Sequence, residues 1–157
     1  MEKQTAKKTT KKPAAAHDPW TEALERILRA EDSDPFQILG PHWIERAGKR
    51  MLAIRLFRPG ASEAKIIWKN GTVSAAGKIA EGLFEAVIDP VAAKLPAGAP
   101  VPVDAYGVRF RFADGKALET LDAYAFPPLL SDYDLYLFGE GTHYQKYEKL
   151  GAHIREV

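Results

Sequence analysis

The sequence predicts a mainly β protein: an immunoglobulin-like antiparallel β-sandwich with an N-terminal amphipathic helix and a short C-terminal helix. Three observations carry this expectation. After Pro35, apolar residues recur with period two in short runs, interrupted by the turn signals Asn70-Gly71, Asp89-Pro90 and Asp114-Gly115. No helical pattern separates one run from the next, so the βαβ alternation of a parallel nucleotide-binding sheet is absent. Six or seven short strands joined by turns then require antiparallel pairing in two packed layers.

Taken in order, the first element is HDPWTEALERILRAEDSD. Asp18 can cap it, and Pro19 occupies the first helical position, where a missing N–H costs nothing. Trp20, Leu24, Ile27 and Leu28 fall on one stripe, while Glu22/Arg26 and Glu25/Arg29 are i,i+4 pairs on the other face. A helix of about three turns is expected, with Trp20 serving helix packing. In MLAIRLFRPG, Leu52, Ile54 and Leu56 share a face. EAKIIWKNGTVSA reads as strand, Asn-Gly turn, strand. GLFEAVIDP puts Phe84, Ala86 and Ile88 on one side and stops at Asp-Pro, and the loop KLPAGAPVP follows. The clearest strand alternates Tyr106, Val108, Phe110 and Phe112 with Gly107, Arg109 and Arg111, and ALETLDAYAF can return as its hairpin partner. Phe84, Phe110 and Phe112 are assigned to the core. SDYDLYLFGEG is the closing helix, with Ser131 capping and Asp134 near N3. Little apolar periodicity remains from Gly139 on.

Composition narrows the function. With no cysteine among 157 residues, thiol catalysis, thiolate zinc and disulfides are excluded. The net charge of +1 hides an asymmetry: the first twelve residues carry five lysines against Glu2, and the remainder is mildly acidic. Residues 1–16 read as a disordered basic tail with no apolar run, neither secretory signal nor membrane span. An acidic folded part offers nucleic acid no basic surface. No nucleic acid or membrane partner is expected, and a cytoplasmic location fits. Asn70-Gly71-Thr72 has the form of a glycosylation sequon but reads better as a tight turn.

No catalytic apparatus is legible. His17, His42, His143 and His153 are too scattered for metal-ligand spacing, so hydrogen-bonded structural histidines are expected and no metal site. Gly139 to Gly141 is half of a phosphate loop and follows no buried strand. Ser33, Ser62, Ser74 and Ser131 lie in no nucleophile elbow. Neither catalytic residue nor cofactor is expected. Aromatics are the remaining candidates, because a sugar ring presents an apolar C–H face that stacks on indole. Trp43 and Trp68 are the candidate carbohydrate-binding residues; the competing reading buries each against the core or the docked helix.

One short word occurs twice. FQILGPH (Phe36 to His42) returns as YEKLGAH (Tyr147 to His153), an aromatic three residues before Leu-Gly-x-His, 111 residues apart. Such a pair marks the start of a repeated unit. DPFQILGPH, GLFEAVI and LDAYAFPPLLSDYDLYLFGEGTHYQKYEKLGAH, in that order, resemble the amino-terminal region of bacterial glycogen branching enzymes over roughly Asp34 to Val157. The residues that carry the resemblance are Asp34, Pro35, Leu39, Gly40, His42, Asp122, Tyr124, Glu140, Gly141, Thr142, His143, Leu150, Gly151 and His153. One departure is Asp122-Ala123-Tyr124, where the family commonly has Asp-Pro-Tyr, a change in local rigidity.

The resemblance implies two tandem β-sandwich modules ahead of a family 13 glycoside hydrolase barrel. It also implies an enzyme that makes α-1,6 branches by cutting and transferring α-1,4-glucan. The family's catalytic aspartate, glutamate and second aspartate belong to the barrel and map onto no residue here. The expected organisation is a tail (1–16), the helix (17–33), the first sandwich (34–139), and a linker with the start of a second, truncated sandwich (140–157). This implies a non-catalytic accessory module, monomeric, that touches α-1,4-glucan or glycogen weakly and neighbouring domains of the same parent chain. A purely structural spacer is the alternative.

Overall fold

The computed structural model describes residues 19–151. The basic tail, His17, the Asp18 cap and His153 lie outside the described residues. The chain divides into two compact units between Ser33 and Asp34.

The first unit holds α1 (Pro19–Leu28). Its polar face carries the two expected pairs, Arg26 to Glu22 at 3.6 Å and Arg29 to Glu25 at 4.0 Å. The buried stripe is narrower than its sequence suggests. Ala23 and Ile27, one turn apart, are buried and Leu24 is half-buried, whereas Trp20 and Leu28 are exposed. Trp20 stands two turns before Ile27 on the same stripe, and its place in the first turn of a ten-residue helix leaves it 37% exposed.

The second unit is the sandwich, built from β1 (Gly40–Arg46), β2 (Lys49–Phe57), β3 (Ala61–Trp68), β4 (Val73–Ala80), β5 (Leu83–Ile88), β6 (Tyr106–Phe112) and β7 (Ala117–Thr120). All pairings are antiparallel, in the order β1-β2-β5-β4-β3-β6-β7. Strand β4 turns the corner. Its first half (through Ala76) pairs with β3 and its second half (from Gly77) with β5, which folds the ladder into a β1-β2-β5-β4 layer over a β3-β6-β7 layer.

Alternation decides what fills the space between the layers. Leu52, Ile54 and Leu56 of β2 and Phe84, Ala86 and Ile88 of β5 meet Ala64, Ile66 and Trp68 of β3 and Tyr106, Val108 and Phe110 of β6 in one core. Phe84 and Phe110 touch across it with ring centroids 6.4 Å apart. Each such side chain fully buried is worth about 1.5–3 kcal/mol. Phe112, placed in the core by its period, is only partly buried, and the Arg58 guanidinium lies 5.9 Å over its ring.

Three differences from the sequence reading bear on function. β1 is a strand although GPHWIER shows no period-two pattern. The return strand β7 spans only four residues, because the chain leaves it for a one-turn 3-10 helix at Ala123–Ala125 capped by Asp122. Strand β5 does stop at Asp89-Pro90, but the same dipeptide also starts an element the loop reading lacked: Asp89 caps the short helix α2 (Pro90–Ala93), accepting from the Val91 amide at 2.8 Å. The closing helix α3 (Asp132–Gly139) begins in the capping box expected of Ser131 and Asp134. No helix among the described residues is long and apolar enough to cross a membrane.

Candidate functional site

The motif residues of the first Leu-Gly-x-His converge on a corner where β1 begins. Asp34 precedes a single 3-10 turn at Pro35–Gln37, and the Ile38 and Leu39 amides both donate back to the Pro35 carbonyl. Leu39 is fully buried. Gly40 follows with φ +88°, and a β-carbon there would lie 2.4 Å from the Tyr124 carbonyl oxygen. The chain at this point has no room for a side chain of any kind. The His42 ring bonds to the Leu39 carbonyl oxygen at 3.0 Å, and Arg55, buried on β2, holds the loop from the other side through the Ile38 carbonyl (3.4 Å) and Glu85 (2.8 Å).

Tyr124 reaches the corner through Asp122. That carboxylate is buried and accepts from the Tyr106 hydroxyl at 2.7 Å and the Tyr124 amide at 3.0 Å. Burial pushes the Asp122 carboxyl above its ordinary range, opposed by those two donors and by nearby His42. Burial, then the adjacent carboxylate, pushes the Tyr106 phenol up in turn. The pair is a structural lock, with every polar atom spoken for. Nothing in its sequence surroundings announces that Tyr106 and Asp122 meet, since Tyr106 reads simply as one inward position of β6.

The second Leu-Gly-x-His has the same backbone and different surroundings. A 3-10 turn at Lys146–Glu148 again sends two amides, Lys149 and Leu150, back to the first carbonyl, Lys146, and Gly151 follows at φ +102°. Leu150, however, is 43% exposed where Leu39 is 1%, and a β-carbon on Gly151 would meet nothing within 4 Å among the described residues. His143 is tied down separately. Its ring lies 2.9 Å from Asp134 and stacks on Phe138 at 4.6 Å between centroids. Asp134 is held well below the usual carboxylate range by the Ser131 hydroxyl, the Ser131 amide and His143, with Lys149 adding its charge. Glu140, Gly141 and Thr142 make the turn that returns the chain from α3 to His143, closed by Gly141 and Thr142 amides donating to Phe138 and Leu137.

This arrangement makes a first prediction. A carboxylate whose folded value is depressed adds stability above its unfolded value, and that stability is lost as pH falls through the acid range. The α3 turn should therefore survive mild acidification. A carbon-detected titration should place the Asp134 midpoint below the other carboxylates, and Ser131→Ala should raise it; a midpoint at the ordinary aspartate value would contradict the capping geometry.

Of the two tryptophans, one lies in the core and the other is half-buried at the sheet edge. Trp68 is 3% exposed, inward on β3, packed on Tyr106 at 5.5 Å and donating its indole N–H to the Ser74 hydroxyl at 3.0 Å. It follows Ala64 and Ile66 on the inward face, so the pleat assigns it to the core. Trp43 on edge strand β1 is half-buried, packed against the same core, with its N–H donated to the Ala99 carbonyl at 2.8 Å. The large apolar side chains that do face solvent crowd the C-terminal part: Phe126, Leu129, Tyr133, Tyr136, Tyr144 and Tyr147. Sequence reading passed over them, because tyrosines spread through a segment without periodicity give no pattern to detect.

Comparison with known proteins accounts for the motif corner. Residues 20–124 match the family described as alpha-1,4-glucan branching enzyme GlgB, N-terminal domain. The chain is 39% identical over 144 residues to the 1,4-alpha-glucan branching enzyme GlgB of Rubrobacter xylanophilus, covering 87% of this chain and 17% of that protein. It is 38% identical over 149 residues to that of Bradyrhizobium diazoefficiens, covering 94% and 17%. With that of Nitrobacter hamburgensis, the figures are 41% over 129 residues, 81% and 16%. The chain thus spans about a sixth of the length of these relatives. With two-thirds of its length matched, from α1 through the Asp122–Tyr124 turn, the chain belongs to the family of the N-terminal domain of the α-1,4-glucan branching enzyme GlgB.

Proposed function

We propose that this chain is a non-catalytic accessory module of a glycogen-synthesising branching enzyme, and that it acts by packing against neighbouring parts of the same protein. The observation that carries the reading is the exposed apolar surface of residues 121–150. It lies at and just beyond the end of the matched domain and includes a second Leu-Gly-x-His turn whose leucine is open. Solvent-facing apolar patches of this kind mark interaction surfaces. The equivalent turn at residues 36–42 seats its leucine under a sandwich. By the same logic the second turn opens a following module of similar build.

In that role the module limits which glucan chains the enzyme transfers, as a spacer set beside the reaction. Direct glucan contact is the second reading, and it draws on the partly exposed ring of Trp43. In a branching enzyme carrying this module, deleting residues up to Leu150 should leave chain transfer measurable but shift the distribution of branch lengths seen after debranching. Tyr133→Asp with Tyr136→Asp should reproduce part of the shift while leaving the module folded. An unchanged branch-length profile in the deletion would sink both readings.

A further inference from the structure

We infer that Asp134 is a pin that makes residues 131–150 one rigid elbow, fixing the direction in which the second Leu-Gly-x-His turn points from α3. That this direction serves a following module rests on the accessory-module reading above; the pin itself does not. The segment needs a pin because it has no core of its own. Among the described residues from 131 to 150, Asp134 is the one that is buried; Leu137, Phe138 and His143 are half-buried and every other is exposed. Short helices and turns are ordinarily held by the apolar face they bury. Here the side chain drawn inside is a carboxylate.

Its two oxygens reach three points of the segment. Oδ2 accepts from the Ser131 amide at 2.9 Å and the Ser131 hydroxyl at 2.6 Å, closing the capping box at the start of α3. The same oxygen lies 3.6 Å from the Lys149 ammonium. Oδ1 accepts from the His143 ring at 2.9 Å, beyond the turn that ends α3. His143 is itself clamped, its ring stacked 4.6 Å from that of Phe138 on the last turn of the helix. A carboxylate has about four lone-pair sites, and these donors fill them. A buried charge left short of partners is costly, so the three attachment points are coupled through one side chain.

The repeat shows that the pin is added to the turn rather than inherent in it. Aligned on Leu-Gly-x-His, Lys149 stands where the first copy has Ile38. The first turn is seated by its buried leucine, by the Tyr124 backbone against Gly40 and by Arg55 at the Ile38 carbonyl. The second has an exposed leucine, and its polar link to α3 among the described residues is the Lys149–Asp134 pair. An ion pair between two exposed side chains is worth little, because both must be ordered. This one ends on a carboxylate that Ser131 and His143 already hold, with its side chain 10% exposed, so only the lysine has to be ordered. Tyr133, Tyr136, Tyr147 and Leu150 ride on the same elbow, and their exposed faces keep a fixed relative placement. A surface ordered in advance loses less entropy when it docks.

The test is amide relaxation with residual dipolar couplings on the 157-residue chain, as wild type, Asp134→Asn and Lys149→Met. In wild type, couplings from 132–139 and from 146–150 should fit one alignment tensor, with order parameters of about 0.85 in both stretches. Lys149→Met removes the charge and keeps a flexible stem. It should bring residues 146–150 below about 0.6 while α3 keeps its values. Asp134→Asn leaves one oxygen for two sets of donors, so residues 143–150 should loosen and the start of α3 with them. Neither variant should move the melting temperature of the sandwich by more than about 2 °C, since its core takes no side chain from this segment. Two separate tensors in wild type would overturn the elbow. Unchanged couplings and order parameters at 146–150 in both variants would overturn the pin. An unchanged branch-length profile in the deleted branching enzyme would count against the accessory-module reading and leave both standing.

Discussion

Gly40→Ala is expected to destabilise the sandwich by about 3–5 kcal/mol, a large part of the stability of a domain this size. Two costs combine. A non-glycine residue at φ +88° pays for the left-handed conformation, about 1–2 kcal/mol. The new methyl also lands 2.4 Å from the Tyr124 carbonyl oxygen, which is backbone and cannot rotate aside. Relief requires moving the 3-10 turn that Asp122 caps, and with it the Tyr106–Asp122 bond. Gly151→Ala provides the internal control, because its glycine also has a positive φ and no atom of the described residues lies within 4 Å of the added carbon. Its cost should be about 1 kcal/mol or less, since alanine also restricts the unfolded chain. Thermal unfolding of the two variants side by side decides the matter. The midpoint should fall by about 10 °C or more for Gly40→Ala and barely move for Gly151→Ala; equal shifts would mean that the Tyr124 contact carries no weight.

The same pair of glycines shows how far the sequence reaches. The repeat of Leu-Gly-x-His was visible as a word, and the shared 3-10 turn and positive-φ glycine follow from that word alone. Whether the leucine is covered is not a local property, and nothing near Leu39 or Leu150 distinguishes them. Period two located β3, β5 and β6 because mainly one face of each is buried, and β2 because its large apolar residues alternate with Ala53 and Arg55, although both of its faces are covered. It failed for β1, an edge strand opened by glycine and proline, where half-burial along its length leaves no alternation to see. Asp89-Pro90 was ambiguous in principle, since the same dipeptide ends a strand and caps a helix. Trp68 shows residue type overruled by position: indole suggests a sugar platform, but the pleat that turns Ile66 inward turns Trp68 inward as well. Trp43 depends on a carbonyl 56 residues away, which no local reading reaches.

Tyr106→Phe should cost about 2–3 kcal/mol at neutral pH, from the removal of a single oxygen. The ring still fills its place in the core, so no cavity forms. What changes is that an Asp122 carboxylate oxygen, buried and facing the former hydroxyl, loses its donor and keeps only the Tyr124 amide on its other oxygen. The loss should depend on pH in a defined direction. Burial already raises the Asp122 value in the folded state, and the Tyr106 hydroxyl opposes that rise. A carboxyl whose folded value exceeds its unfolded one contributes fully below the unfolded value and loses its contribution as pH rises through the folded one. Without the hydroxyl the folded value climbs further, so the penalty of Tyr106→Phe should be smaller near pH 4, where Asp122 takes up a proton, than at pH 7. The phenol adds an alkaline arm. Its folded value is raised by burial and by the Asp122 charge, so wild type should lose stability as pH rises past about 10, where the unfolded phenol ionises. The phenylalanine variant has no such arm. Asp122→Asn, which removes the buried charge but keeps a hydrogen-bonding partner for Tyr106, should cost less than Tyr106→Phe at pH 7. Denaturant unfolding of the three proteins at pH 4, 7 and above 10 tests each step. A Tyr106→Phe penalty identical at pH 4 and 7 would show that the carboxylate does not depend on the hydroxyl, and the lock at this corner would then be one of packing alone.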